Sequence, residues 1–457
     1  MKRIYLFFIT LFLFSFGASH IYLASGLSPE PKKPVLVFFQ DASSTNTITQ
    51  DTLPEGRYFI NEHSDIVFIP VETNVFLPGF SSNLNKKQNI ATSSSALLND
   101  AYGIFDAIGS LEKIREDIAL YNGDENNITI CGEGIGATIA TYLPIMKEAK
   151  GLFQKAIINS PILNLDQEET ENASILPNIY EEYENGAAKD VKIIFTTNSD
   201  DTINLLNNYN NYILNNKIQE IKLNTKQNQK KASLENFFET IKNNINDIYN
   251  EETKTKQLPE EITYNIEEFI KTASEETGNA QEEILLDLYD KIFFKLPILK
   301  IAAEQSKWND VYFLNYENLT PKVVSPFSYI INTPHLIEKE IATKSQLKIF
   351  DTHRLQQNKI LLTYFTNFIK TGDPNKDLMQ ENSLVATASA LGEKKESAWE
   401  KYTQSKGQML NVSKNISIIS SPFTESSAKN SEILLKYNIS GPLSFKNLLN
   451  MLKTASN

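Results

Sequence analysis

The chain has 457 residues, 41% of them hydrophobic and 22% charged, enough for a sizeable apolar core beneath an ordinary soluble surface. A net charge of −12, with no basic run, excludes nucleic acid and anionic membrane surfaces as partners held by bulk electrostatics. The single cysteine, Cys131, excludes an internal disulfide, and its place in an apolar run marks it as a small buried hydrophobe.

At the N-terminus, Lys2 and Arg3 precede a mostly apolar run from Ile4 to Phe16. Small residues follow at Gly17, Ala18 and Ser19 and again at Ala24, Ser25 and Gly26. This layout is that of a secretory signal over residues 1–26, cleaved after Ser19 or Gly26, with an exported (periplasmic or secreted) product. The other reading is an uncleaved membrane anchor, against which stand the short apolar run and His20. Residues 27–457 then form the folded domain.

Val35 to Phe39 is a continuous apolar run, as expected for a strand buried on both faces, and Asp65 to Pro70 contains a second. Ser81 to Ser95 is rich in Ser and Asn and reads as a loop. From Ala101 to Tyr121, Ile104, Ile108, Leu111, Ile114 and Ile118 recur at helical spacing, and Gly123 is expected to take the left-handed cap. A short buried strand, Ile128 to Cys131, then runs into Gly132-Glu-Gly-Ile-Gly136 and a helix expected from Ala137. Strand, tight turn and helix are the setting of a nucleophile elbow, in which G-x-S-x-G lifts a serine above a sheet. Both flanking glycines are present, and Gly134 stands in the place of the serine.

Further strands are expected at Gln154 to Asn159, Val191 to Phe195 and Val311 to Leu314. Strands alternating with helices predict an α/β fold with a mostly parallel sheet. Residues 202–306 are helical by pattern and rich in Glu and Lys, which predicts a helical cover inserted over that sheet. Leu355 to Lys370 is an amphipathic helix stopped by Thr371-Gly-Asp-Pro-Asn375. Lys376 to Lys406 reads as polar surface, and Lys429 to Lys453 as one or two terminal helices. No Cys/His cluster has metal-ligand spacing and no glycine loop is built to cradle phosphate, so neither a metal nor a cofactor is implied.

Tyr102 to Ala137 resembles the type-B carboxylesterase family, which includes the cholinesterases and the adhesion proteins called neuroligins. The family stretch ending in "NVTIFGESAGA" fits without a gap through Asn127, Thr129, Ile130, Gly132, Glu133, Gly136 and Ala137. Other blocks follow in order. Pro34 to Phe39 resembles "PVLVWI", and Phe153 to Ser160 resembles "LFxRAIxxSG". Phe294, Pro297 and Ala302 resemble "FxxPxxxxA", with Asp290 one residue out of step with the family's Asp. Tyr364 to Asn375 resembles "YWTNFAKTGDPN". The resemblance runs from Pro34 to Asn375 and implies an α/β-hydrolase fold.

It also implies where a catalytic triad would stand. The nucleophile position falls on Gly134, the acid of the "GxNxDEG" loop on Asp201, and the histidine of "HGxE" on His335. A plainer reading of Asp201 and His335 is as loop residues. The family's "HGGG" oxyanion loop is replaced by Gln40-Asp-Ala-Ser43, which has no glycine and carries a carboxylate of the wrong sign for an oxyanion. Two functions are therefore open. One is an exported, catalytically inactive family member that binds a protein or a small-molecule ligand. The other is a carboxylic ester hydrolase with an unconventional nucleophile.

Overall fold

The computed structural model describes residues 31–41, 59, 63–73, 93–163, 176–198, 201, 290, 294–317, 348–376, 398–413 and 416–420. The signal segment, most of the expected helical cover and the expected terminal helices lie outside these. Eight strands form one sheet: β1 (Lys33–Asp41), β2 (Val67–Thr73), β3 (Gly123–Glu133), β4 (Lys155–Asn159), β5 (Lys192–Asn198), β6 (Val311–Tyr316), β7 (Gln408–Val412) and β8 (Ile416–Ser420). Their spatial order is β2-β1-β3-β4-β5-β6-β7-β8, parallel throughout except for the antiparallel β7–β8 pair. The main helices are α1 (Ser93–Asp117), α2 (Ile135–Tyr142), α3 (Ile179–Glu184), α4 (Leu296–Gln305) and α5 (Lys348–Thr371).

Both faces of the sheet are covered, which is why its central strands read as unbroken apolar runs. On one face Val35, Val37, Phe39, Ile193 and Phe195 join residues of α1, α2, α3 and α4. On the other Leu36, Phe38, Ile194 and Tyr312 meet Ile360, Leu361, Tyr364, Phe365 and Phe368 of α5. Cys131 lies in this second layer, fully buried. Among the described residues no helix is long and apolar enough to cross a membrane.

Several local expectations need correction. Ser93 to Ser95 form the first turn of α1 and not a loop. The left-handed residue after the helix is Asn122, with φ 61°, not Gly123. Gly123 instead begins β3, where a Cβ would lie 2.4 Å from Ile118 Cγ1 and 3.0 Å from Val35 Cγ2. Glycine is needed there for close approach, and asparagine tolerates the left-handed turn beside it. Trp399 and Tyr402 are buried although they lie in the stretch read as polar surface. Trp399 donates from Nε1 to the Phe313 carbonyl at 3.1 Å, and its backbone is held at both ends by the Asn375 side chain at 2.7 and 2.9 Å. The Thr371–Asn375 motif thus ties the end of α5 to the tryptophan that fills the second layer.

Candidate functional site

The winding of the sheet reverses at β1, with β2 on one side and β3 on the other. In open α/β sheets, ligands bind outside the carboxyl ends of the strands at such a reversal. The turn from β3 into α2 stands there. Its backbone approaches β1 so closely that a Cβ on Gly136 would lie 2.1 Å from the Phe39 carbonyl oxygen. A Cβ on Gly132 would lie 2.2 Å from the backbone of Gly136. These two glycines are fixed by contact.

Gly134 is fixed by conformation instead. It has φ 54° and ψ −114°, a region closed to residues with side chains except under strain. A Cβ there would meet no described heavy atom within 4 Å. Its N–H donates to the Asn159 carbonyl at 3.1 Å, and its carbonyl accepts from the N–H of Thr138 at 3.0 Å. The Thr138 hydroxyl also donates to the Ile162 carbonyl at 3.1 Å and accepts from the Ile162 N–H at 3.0 Å. The turn is therefore bound on both sides to the chain leaving β4. Helix α2 begins at Ile135, two residues earlier than the pattern suggested.

Two strands along, β5 continues through Asn198, so Thr196 to Asn198 belong to the strand and not to a loop. Asp201 follows and is buried. Its Oδ2 accepts from the Asn198 N–H at 3.0 Å and its Oδ1 from Asn198 Nδ2 at 2.8 Å. Asn198 Nδ2 also donates to Ser160 Oγ at 2.9 Å, and the Ser160 side chain in turn hydrogen-bonds Asp201. Burial pushes the Asp201 carboxyl up to about 6, against the pull of the Ser160 and Asn198 hydrogen bonds and the charge of Lys295. Lys295 itself pairs with the buried Asp290 at 2.7 Å.

Ser160 and Asn198 are the residues that sequence reasoning missed. Ser160, which the sequence marked only as the end of the block resembling "LFxRAIxxSG", is buried, with φ 50°, just after β4. Both residues sit in motifs that carry the resemblance, so their positions were visible but the bond between them was not. The structure brings Gly134, Ser160, Asn198 and Asp201 to the carboxyl ends of the adjacent strands β3, β4 and β5. His335 lies outside the described residues, as do Ala42 and Ser43. Gln40 and Asp41, expected in the oxyanion loop, are instead the last residues of β1, paired with Glu72 and Thr73 of β2. Among the described residues no group of three or more His, Cys, Asp or Glu is placed to hold a metal ion.

The sequence profile of the carboxylesterase family matches residues 21–174 and 165–430. This chain belongs to the carboxylesterase family. It is 23% identical to human neuroligin-2 over 435 residues, covering 83% of this chain and 49% of that protein. The chain thus spans about half the length of the neuroligin-2 sequences it matches. Over a shorter stretch of 134 residues, 28% of this chain and 27% of the relative, it is 30% identical to a para-nitrobenzyl esterase of Bacillus subtilis. Among solved structures, the Geobacillus stearothermophilus carboxylesterase EST55 superposes with a TM-score of 0.54 at 18% identity, over 90% of this chain and 84% of that one. A thermophilic PNB esterase gives a TM-score of 0.54 at 14% identity, over 91% and 83% of the two chains. At these identities the structures show the fold, which is that of the α/β-hydrolases.

Proposed function

We propose that this carboxylesterase-family protein is exported and does not hydrolyse esters, and that it uses the crevice above the sheet, or the surface around it, to bind a small-molecule ligand or another protein. The observation that carries this reading is Gly134. It occupies the turn between β3 and α2, in the conformation of an elbow residue, and no described heavy atom lies within 4 Å of where its Cβ would stand. In this proposal, resting on the resemblance of Gly132–Gly136 to the family's elbow motif, Gly134 stands where the nucleophile serine would be, and loss of a nucleophile costs on the order of 10⁶ in turnover. The residues that follow β1, Ala42 and Ser43, offer no glycine where the resemblance puts the oxyanion loop, which supports the same reading, since loss of one oxyanion donor costs about 10²–10³. In this proposal Asp201 and His335 are the retained acid and base positions.

The test is restored chemistry. Wild-type protein is expected to leave short nitrophenyl esters intact. Gly134→Ser alone recovers little turnover. Gly134→Ser together with Asp41→Gly and Ala42→Gly recovers more than either set of changes, because hydroxyl and donors act on one transition state. Wild-type turnover that survives Gly134→Ala overturns the reading. It would favour the hydrolase with an unconventional nucleophile, for which the specific observation is the Ser160 hydroxyl beside the Asp201 carboxyl. Ser160 is only 3% exposed and its hydroxyl is already engaged, which argues against that role. Export is checked by N-terminal sequencing from the native host, with the mature chain beginning between His20 and Ser28. An intact Met1 start in the membrane fraction favours the anchor.

A further inference from the structure

Lys155 opens β4 at the end of the sheet opposite to the elbow. It is 6% exposed and lies in register beside Lys192 of β5. Like charges directly opposite each other across strands destabilise the pair. Lys192 has Asp310 3.9 Å from its Nζ, while Lys155 forms no ion pair with any carboxylate among the described residues. The partner of its Nζ is the neutral Oδ1 of Asn127. That amide is itself oriented, since Asn127 Nδ2 donates to the Lys370 carbonyl of α5 at 3.1 Å. Asp124 of β3 is the one described carboxylate whose charge acts on Lys155, more weakly than Lys192 does.

A buried amine with a neutral partner and a neighbouring cation is held towards its uncharged, nucleophilic form. Burial first, and Lys192 second, bring the Lys155 amine down to about 8, with Asp124 opposing. An exposure of 6% shuts out bulky reagents, so an electrophile that reaches this amine has to be small and uncharged.

We propose that Lys155 is a carbon dioxide acceptor whose ε-amine forms a carbamate at the amino end of β4, between Asn127 and Lys192. The amine lone pair attacks the carbon of CO₂ and an N–C bond forms. One C–O π pair moves onto oxygen, and one N–H proton leaves to solvent. Nothing is oxidised or reduced. The product carries a negative charge beside the Lys192 ammonium, so a repulsive pair becomes an attractive one, with Asp124 as the opposing charge. The proposal is independent of the elbow and of whether the protein hydrolyses esters.

The test uses the full chain equilibrated with ¹³C-bicarbonate near the Lys155 titration point. Carbamates are trapped with triethyloxonium and located by peptide mass spectrometry. The peptide carrying Lys155 should hold at least about tenfold more label than the average lysine peptide, because its neutral fraction exceeds that of an ordinary lysine by about 10². Lys155→Arg, which keeps length and charge but is not nucleophilic, abolishes that label and leaves the α-amino label in place. Lys192→Gln lowers it several-fold, since it removes both the depressing charge and the counter-ion. Should Lys155→Arg not fold, wild-type protein unfolded in urea serves instead, and its Lys155 label falls to the level of the other lysines. Label spread evenly over the lysines of the folded chain overturns the proposal, as does label on the α-amine alone.

Discussion

The β3–α2 turn and the Asp201 corner stand two strands apart at the same end of the sheet, and they are held in opposite ways. The turn is kept by the absence of side chains. Gly132 and Gly136 let backbone meet backbone at distances no Cβ allows, and Gly134 supplies a dihedral that other residues resist. The Asp201 corner is kept by side chains, through Asn198 and Ser160, with the charge of Lys295 acting on the carboxyl. The difference teaches that a turn packed backbone against backbone keeps its shape without side-chain bonds. A buried carboxyl survives only while its donors do.

The comparison breaks first at the flanking glycines. Gly132→Ala and Gly136→Ala each force a Cβ into backbone, and each should cost about 3 kcal/mol or more, or prevent folding. Urea midpoints of the purified variants measure this. Next comes Asp201. Its folded pKa lies above its ordinary value, so its contribution to stability is fully present below pH 3.8 and is lost as pH rises through about 6. The loss across that window is on the order of 2–3 kcal/mol. Asp201→Asn cannot ionise, and its stability profile between those pH values should be flatter than that of wild type.

Smaller again is Gly134→Ala, which meets no described neighbour and should cost only about 1–2 kcal/mol of backbone strain. If Gly134→Ala is as damaging as Gly136→Ala, contact and not conformation fixes the central glycine. Smallest is Ser160→Gly. It relieves a positive φ while removing one hydrogen bond from Asp201, for a net change under about 1 kcal/mol. The sharper readout is titration of Asp201 by NMR, which should move further up once that donor is gone.

The central fold was legible because its strands are buried on both faces. Val35 to Phe39 and Val311 to Leu314 carry no polar residue to disguise them. β7 and β8 were not foreseen. Asn411 is polar yet buried, because it accepts from Asn315 at 2.6 Å and donates to Glu317 at 3.2 Å, and such bonds leave no periodic trace. β8 is a short, half-exposed edge strand without an apolar run. Trp399 was hidden for a similar reason, since a single buried tryptophan held by Asn375 does not change the polarity of its segment. At the candidate site, Gly134 and Asp201 were singled out by resemblance alone. The hydrogen bonds of Ser160 and Asn198 to Asp201 depend on where two strands end, which only the fold decides.

The central claim is that the elbow holds no activated nucleophile. The most direct measurement is labelling of purified wild-type protein with a fluorophosphonate probe, with Gly134→Ala and a heat-denatured sample alongside. The account predicts no labelling above the denatured control in either folded protein. Stoichiometric labelling of wild type at a serine, retained in Gly134→Ala, contradicts it and assigns the nucleophile to another residue.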